Sequence, residues 1–99
     1  MLILLTARRL RPGTFEGWRQ AWEPDEWPEP FTRAYVLRNR ADPDEVISFG
    51  MWEGSAEELL ALADEPAGRA RLERMAPLVE EKLIDGIYEV EVVEPNASS

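Results

Sequence analysis

Apolar and polar positions alternate along four stretches of this chain and recur at helical spacing along three others. From Leu2 to Arg9, residues Ile3, Leu5 and Ala7 share one face of a strand, and Leu2, Leu4 and Thr6 share the other. Both faces begin apolar, which suits a strand covered on both sides. Arg11-Pro12-Gly13 breaks that run. Thr14 then stands at a helix N-cap position, and Phe15, Trp18, Ala21 and Trp22 fall on one side of a helix that Pro24 ends. Glu23 to Pro30 carries Pro24, Pro28 and Pro30 and predicts a stiff, extended connection. Trp27 within it is expected to fold over an edge of the sheet or against a second subunit.

Two β-rich runs follow, Ala34 to Arg40 and Glu45 to Glu53, parted by a linker in which Asp42, Pro43 and Asp44 suit turn positions. They predict a hairpin at the centre of a small antiparallel sheet. On its first strand Tyr35, Leu37 and Asn39 share one face, and Val36, Arg38 and Arg40 share the other. On its second, Ile47, Phe49 and Met51 face one way while Val46, Ser48, Gly50 and Trp52 face the other. The alternation leaves open which hairpin face meets the helices. Gly50 inside a strand predicts a bulge or a close approach by another group. Ser55-Ala-Glu-Glu58 is a capping box, opening a helix that carries Leu59, Leu62 and Ala63 inward. After Asp64-Glu-Pro66 a further helix has Ala70, Leu72, Met75 and Ala76 on its inner face. Pro77 kinks or restarts this helix, which runs on to about Lys82. Asp85-Gly86 predicts a turn, Ile87 to Val93 the last strand, and 95–99 a loose tail to a single domain over 1–94.

The order β-α-β-β-α(α)-β is the split β-α-β arrangement of an α+β, ferredoxin-like fold: an antiparallel sheet with helices on one face. The other sheet face still carries large apolar residues. An exposed patch of that extent marks an interface, so a homodimer with its sheets face to face is expected.

Composition narrows the chemistry. With 99 residues, 44% hydrophobic and 31% charged, this is an ordinary globular chain with one core. Its net charge of −9 repels phosphate backbones and anionic lipid, which argues against nucleic-acid or membrane-surface partners. The chain has no cysteine and no histidine. That removes thiol catalysis, zinc–thiolate sites, the commonest general base and the usual haem ligand. The acidic pairs suggest no calcium loop or two-metal site, and no Gly-rich phosphate loop or nucleophile elbow is present. No stretch approaches the roughly 20 apolar residues of a membrane span, and the N-terminal run lacks the order of a signal peptide. A cytoplasmic location is the expectation.

The run Ser48-Phe-Gly-Met-Trp-Glu-Gly-Ser55, then Glu58-Leu59, then the Asp64-Glu-Pro66 step, resembles the antibiotic-biosynthesis monooxygenases of the dimeric α/β-barrel superfamily. The resemblance spans Leu2 to about Val93. It implies a dimeric α/β barrel and, for the aromatic-polyketide members, oxidation without a cofactor. Those enzymes are thought to use a tryptophan at the end of this strand, matched by Trp52. Ser48 stands at their asparagine position and Glu58 at their tyrosine position. Their upstream histidine falls near Arg38, and their later-helix arginine near Leu72, beside Arg71. Haem-degrading relatives hold iron through a histidine, which this chain lacks.

Candidate site residues follow. Trp52 would stack on a flat substrate, as the resemblance implies, or plug the end of the core. Phe15, Trp18 and Trp22 would line an apolar, water-excluding pocket or form plain core. Tyr35, Asn39 and Ser48 would orient a carbonyl or phenolate oxygen, or sit at an edge or interface. Arg38 and Arg40 would pair with Glu45 or Glu53 across the hairpin or hold an anionic ligand. Trp52, Tyr35 and Arg38 are the catalytic candidates; Phe15, Trp18, Trp22, Asn39 and Ser48 are the substrate-binding ones. Two functions stay open: cofactor-independent oxygenation of a small aromatic or apolar molecule, and an accessory or ligand-binding dimer without turnover.

Overall fold

Period-two stretches become strands and helical stripes become helices, in the predicted order. The computed structural model, which describes residues 1–95, runs β1 (Leu2–Leu10), α1 (Phe15–Trp22), β2 (Phe31–Arg38) and β3 (Glu45–Trp52). It continues through α2 (Ala56–Leu62), α3 (Pro66–Met75) and a 3-10 turn (Ala76–Leu78) to β4 (Val79–Glu89). The four strands make one antiparallel sheet in the order β2-β3-β1-β4. This is the expected α+β, ferredoxin-like architecture. The tail expected over 95–99 lies, but for Pro95, outside the described residues.

Register settles which face meets the helices. Val46, Ser48, Gly50 and Trp52 of β3 stand beside Arg8, Thr6, Leu4 and Leu2 of β1, and beside Arg38, Val36, Ala34 and Phe31 of β2. The β3 members of that set are all buried. Leu10, Trp18, Val46 and Met75 form the core cluster, with Phe15, Ala21, Trp22, Val36, Leu78 and Val79 packed against it. The opposite face carries Ile3, Leu5, Tyr35, Leu37, Ile47, Phe49, Met51, Ile84 and Tyr88. The molecule measures 42 × 35 × 20 Å. A depth of 20 Å is one sheet and one helix layer, so none of the described residues covers that second face.

Gly50 supplies the predicted close approach: a Cβ there would lie 2.7 Å from the Phe31 ring. Ser55 caps α2 by accepting from the Glu58 N–H at 3.1 Å. The Glu58 carboxylate closes the box on the Ser55 hydroxyl, at 3.0 Å, and not on the backbone. Thr14 precedes α1 without capping it; its hydroxyl donates to the Arg11 carbonyl at 2.7 Å.

Three expectations are corrected. The last strand starts at Val79, not Ile87, and Asp85-Gly86 lies inside it. Pro77 turns the helix into a 3-10 turn, and register shifts that leave Glu80 and Leu83 unpaired hide the strand's alternation. The first hairpin strand is Phe31–Arg38: a shift between Phe31 and Arg33 carries pairing back to Phe31, and at the other end pairing stops at Arg38, leaving Asn39 and Arg40 in the turn. The inner face of α3 is not Ala70, Leu72 and Ala76, all exposed, but Gly68, Arg71 and Met75. Gly68 brings α3 against the Leu62 carbonyl, where no Cβ fits, and that contact fixes the helix's rotation.

Candidate functional site

Six aromatic rings run without a break across the helix face of the sheet. Phe15, Trp18 and Trp22 follow each other along α1 at centroid separations of 6.2 and 6.1 Å. Trp27 of the proline-rich segment meets Trp22 edge-on at 5.5 Å and Phe31 of β2 at 5.9 Å. Phe31 meets Trp52 at 4.8 Å. Helical spacing aligns the first three, and the bent Glu23–Pro30 connection folds Trp27 over the β2 edge to join the rest.

Each ring of the α1 stripe carries a guanidinium. Arg38 lies over Phe15 at 4.2 Å, Arg8 over Trp18 at 5.5 Å, and Arg71 over Trp22 at 5.6 Å. Arg8 is in phase with the buried positions of β1 and is 7% exposed. Among the described residues, the one side-chain hydrogen bond of Arg8 runs from Nη1 to Ser48 Oγ, at 3.1 Å. Arg71, half-buried on α3, donates from Nε to the Trp22 carbonyl at the end of α1. Among the described residues, no carboxylate lies within 4 Å of either guanidinium. Burial therefore lowers the pKa of Arg8, with distant Asp85 opposing the shift. Burial, then repulsion from Arg8 and Arg74, pushes Arg71 down to about 10. The indole N–H of fully buried Trp18 also has no hydrogen-bond partner among the described residues.

The helix face thus gathers Phe15, Trp18, Trp22, Ser48 and Trp52, with Arg38 at its rim. Trp52 is almost fully buried, and its indole N–H donates to the Ser55 carbonyl at 2.9 Å. That bond ties the end of β3 to the start of α2. Tyr35 is not a wall of this layer: it stacks on Phe49 at 4.9 Å on the opposite sheet face. Asn39 sits in the hairpin turn, donating to Glu45 at 2.6 Å and accepting from the Ala41 N–H at 2.8 Å. Arg38 makes no cross-strand ion pair; its Nε donates to the Pro43 carbonyl at 2.7 Å. Two shallow hollows lie at the margins of the sheet, and neither is lined by Trp18, Arg8 or Arg71. One of about 200 Å³ is lined by Leu37, Arg38, Asn39, Glu45 and Ile47, and one of about 370 Å³ lies between Leu2, Trp52 and Gly54.

Periodicity passed over Arg8, Arg71 and Phe31, although the family resemblance falls beside Arg71. Arg8 was legible: it falls on the same alternation as Leu2, Leu4, Thr6 and Leu10. Arg71 was not, since a helix face made of Gly, Arg and Met carries no apolar signal.

No protein-family model matches the chain, and no curated protein matches it by sequence. Solved structures do match. A protein described as a candidate antibiotic biosynthesis monooxygenase from Chloroflexus aurantiacus superposes with a TM-score of 0.74 at 20% identity, over 93% of this chain and 92% of that one. A similarly described protein from Nitrosomonas europaea gives 0.74 at 13% identity, over 91% and 98%. A variant of SnoaB, a cofactor-independent oxygenase from Streptomyces nogalater, gives 0.74 at 15%, over 95% and 96%. The fold is that of the antibiotic-biosynthesis-monooxygenase domains.

Proposed function

We propose that this chain is a homodimer whose subunits each hold a small, flat aromatic molecule between sheet and helices, against Trp18, Trp22 and Trp52. The observation that carries this reading is the unbroken ring path from Phe15 to Trp52, clad in guanidinium groups. A packed core needs apolar volume, not three arginines laid on one aromatic stripe. The uncovered sheet face supports the dimer: Leu37 and Ile84 are each 45% exposed there beside Ile47 and Phe49.

The reaction open to such a complex is oxidation without a cofactor, as SnoaB is described as performing. An electron-rich anthrone or phenol ionises, its enolate or phenolate gives an electron to dioxygen, and the resulting radical pair combines. For an anthrone, the ring CH₂ loses two hydrogens, one oxygen atom stays on carbon as the quinone carbonyl, and the other leaves as water. The protein's share is desolvation and positioning. Oxygen uptake with 1,8-dihydroxyanthrone tests this. Turnover above the protein-free rate, lost in Trp18→Ala, supports an oxygenase; a rate equal to buffer ends that reading.

A second reading, a binding dimer without turnover, is favoured by one observation. Trp52, Tyr35 and Arg38 do not converge: Trp52 is held by Ser55, Tyr35 lies on the far face and Arg38 at the rim. Saturable quenching of tryptophan fluorescence by the same anthrone under argon, without oxygen uptake in air, identifies that case.

A further inference from the structure

We propose that Trp18, Trp22 and Trp27 form a relay that carries an oxidising equivalent out of the buried layer and releases it at the surface. The relay stands on the rings of this chain and not on which molecule the layer binds.

The Trp18 and Trp22 rings stack with centroids 6.1 Å apart, and Trp27 meets Trp22 edge-on at 5.5 Å. Rings in van der Waals contact exchange an electron far faster than rings parted by a layer of side chains. The path joins two different environments: Trp18 is fully buried and Trp27 is 40% exposed. Phe15 and Phe31 extend the stripe. A benzene ring gives up an electron far less readily than an indole, so the three tryptophans are the working part.

Charge gives the path a direction. A positive charge beside an indole opposes the loss of an electron from it. Arg8 lies over Trp18 at 5.5 Å and Arg71 over Trp22 at 5.6 Å. Among the described residues, no guanidinium lies over Trp27. Its near neighbours in the chain are instead Asp25, Glu26 and Glu29, whose charges, with water, favour a cation there. An electron hole on Trp18 or Trp22 therefore runs downhill to Trp27. Proton chemistry points the same way. An indole radical cation is trapped when its N–H proton leaves, and the Trp18 N–H has no acceptor among the described residues. A hole on Trp18 keeps its proton and stays free to move, whereas water reaches Trp27 and takes the proton there.

A peroxyl or alkoxyl radical takes one electron from Trp18 and one proton from water, and becomes a hydroperoxide or an alcohol. Trp22 reduces the Trp18 radical cation, and Trp27 reduces that of Trp22. The Trp27 radical cation returns one proton to water and is left a neutral radical, which a soluble thiol repairs by giving up a hydrogen atom. The buried tryptophans end unchanged, so the relay protects the layer in which they pack.

The chain has no cysteine, so Glu16→Cys, on the exposed first turn of α1, offers a single thiol for a ruthenium photo-oxidant. That label sits close to Trp18, while Trp27 lies beyond the other end of the helix. Flash oxidation in air, followed by peptide mass spectrometry, reads which tryptophan has gained oxygen. The product is expected chiefly on Trp27. In Trp22→Phe it should be lost from Trp27 and appear on Trp18; in Trp27→Phe, a change at an exposed position, it should appear on Trp22. Product held chiefly on Trp18 with all four tryptophans present, or product on Trp27 that persists in Trp22→Phe, overturns the relay. If Trp22→Phe fails to fold, Trp27→Phe decides, and the absence of product on Trp22 overturns it.

Discussion

At the scale of single residues, the buried cations set the terms. Burial, with like charge from Arg8 and Arg74, pushes Arg71 down to a pKa of about 10, below the ordinary arginine range. Between that value and the ordinary range the unfolded chain binds the proton that the folded chain has released, so this group's contribution to stability rises with pH there. At neutral pH the charged side chain therefore weighs against the fold. Arg8→Met removes an unpaired buried charge and keeps the stem's packing. Its stability in urea should equal or exceed the wild type's, against the usual cost of about 1 kcal/mol for a point change. Glycines are the opposite case. In Gly50→Ala the new methyl meets the Phe31 ring, wedged between Trp27 and Trp52, and stability should fall by about 1–3 kcal/mol. Gly50 was legible in the sequence because a glycine inside a strand needs a neighbour. Trp18's idle indole was not, since no pattern of residue types reports an absent partner.

At the scale of elements, what could be read depended on how regular each one is. β1, α1 and β3 keep their periods unbroken and were placed to within about a residue. β4 was read eight residues late, because two residues without partners throw its alternation out of step just where Glu80, Glu81 and Lys82 look like a solvated helix. The rotation of α3 was lost for a related reason: it is fixed by backbone contact at Gly68, not by an apolar stripe. Local chemistry, where present, spoke clearly. Ser55 both receives the Glu58 N–H and donates to its carboxylate, so Ser55→Ala should cost about 1 kcal/mol in chemical denaturation. The loss belongs to the start of α2, which Trp52 also holds through the Ser55 carbonyl.

At the scale of the whole molecule, one sheet face is covered by helices and the other by none of the described residues. The second face is apolar across all four strands, and a second copy is the occupant the fold suggests. Leu37 and Ile84 are both half-exposed on it, so charging them should not disturb the monomer's core. The double variant Leu37→Glu/Ile84→Glu should weaken self-association by at least about a hundredfold, read by light scattering, since each carboxylate would be buried without a partner. Among the described residues, no helix is long and apolar enough to cross a membrane. The fold was legible because strand and helix order is written in periodicity. Of the candidate site, the aromatic stripe was legible in helical spacing and Arg8 in the alternation of β1, whereas Arg71 stands on a helix face without an apolar stripe.

The central claim is that a small, flat aromatic molecule is held against Trp18, Trp22 and Trp52. Nitrogen–proton correlation spectra of the protein, titrated under argon with 1,8-dihydroxyanthrone, test it through the four indole N–H signals. The Trp18, Trp22 and Trp52 signals should shift as the ligand stacks on their rings. A Trp18 signal that stays fixed at saturation, with shifts confined to Leu37, Ile47 and Phe49 on the uncovered sheet face, would contradict it.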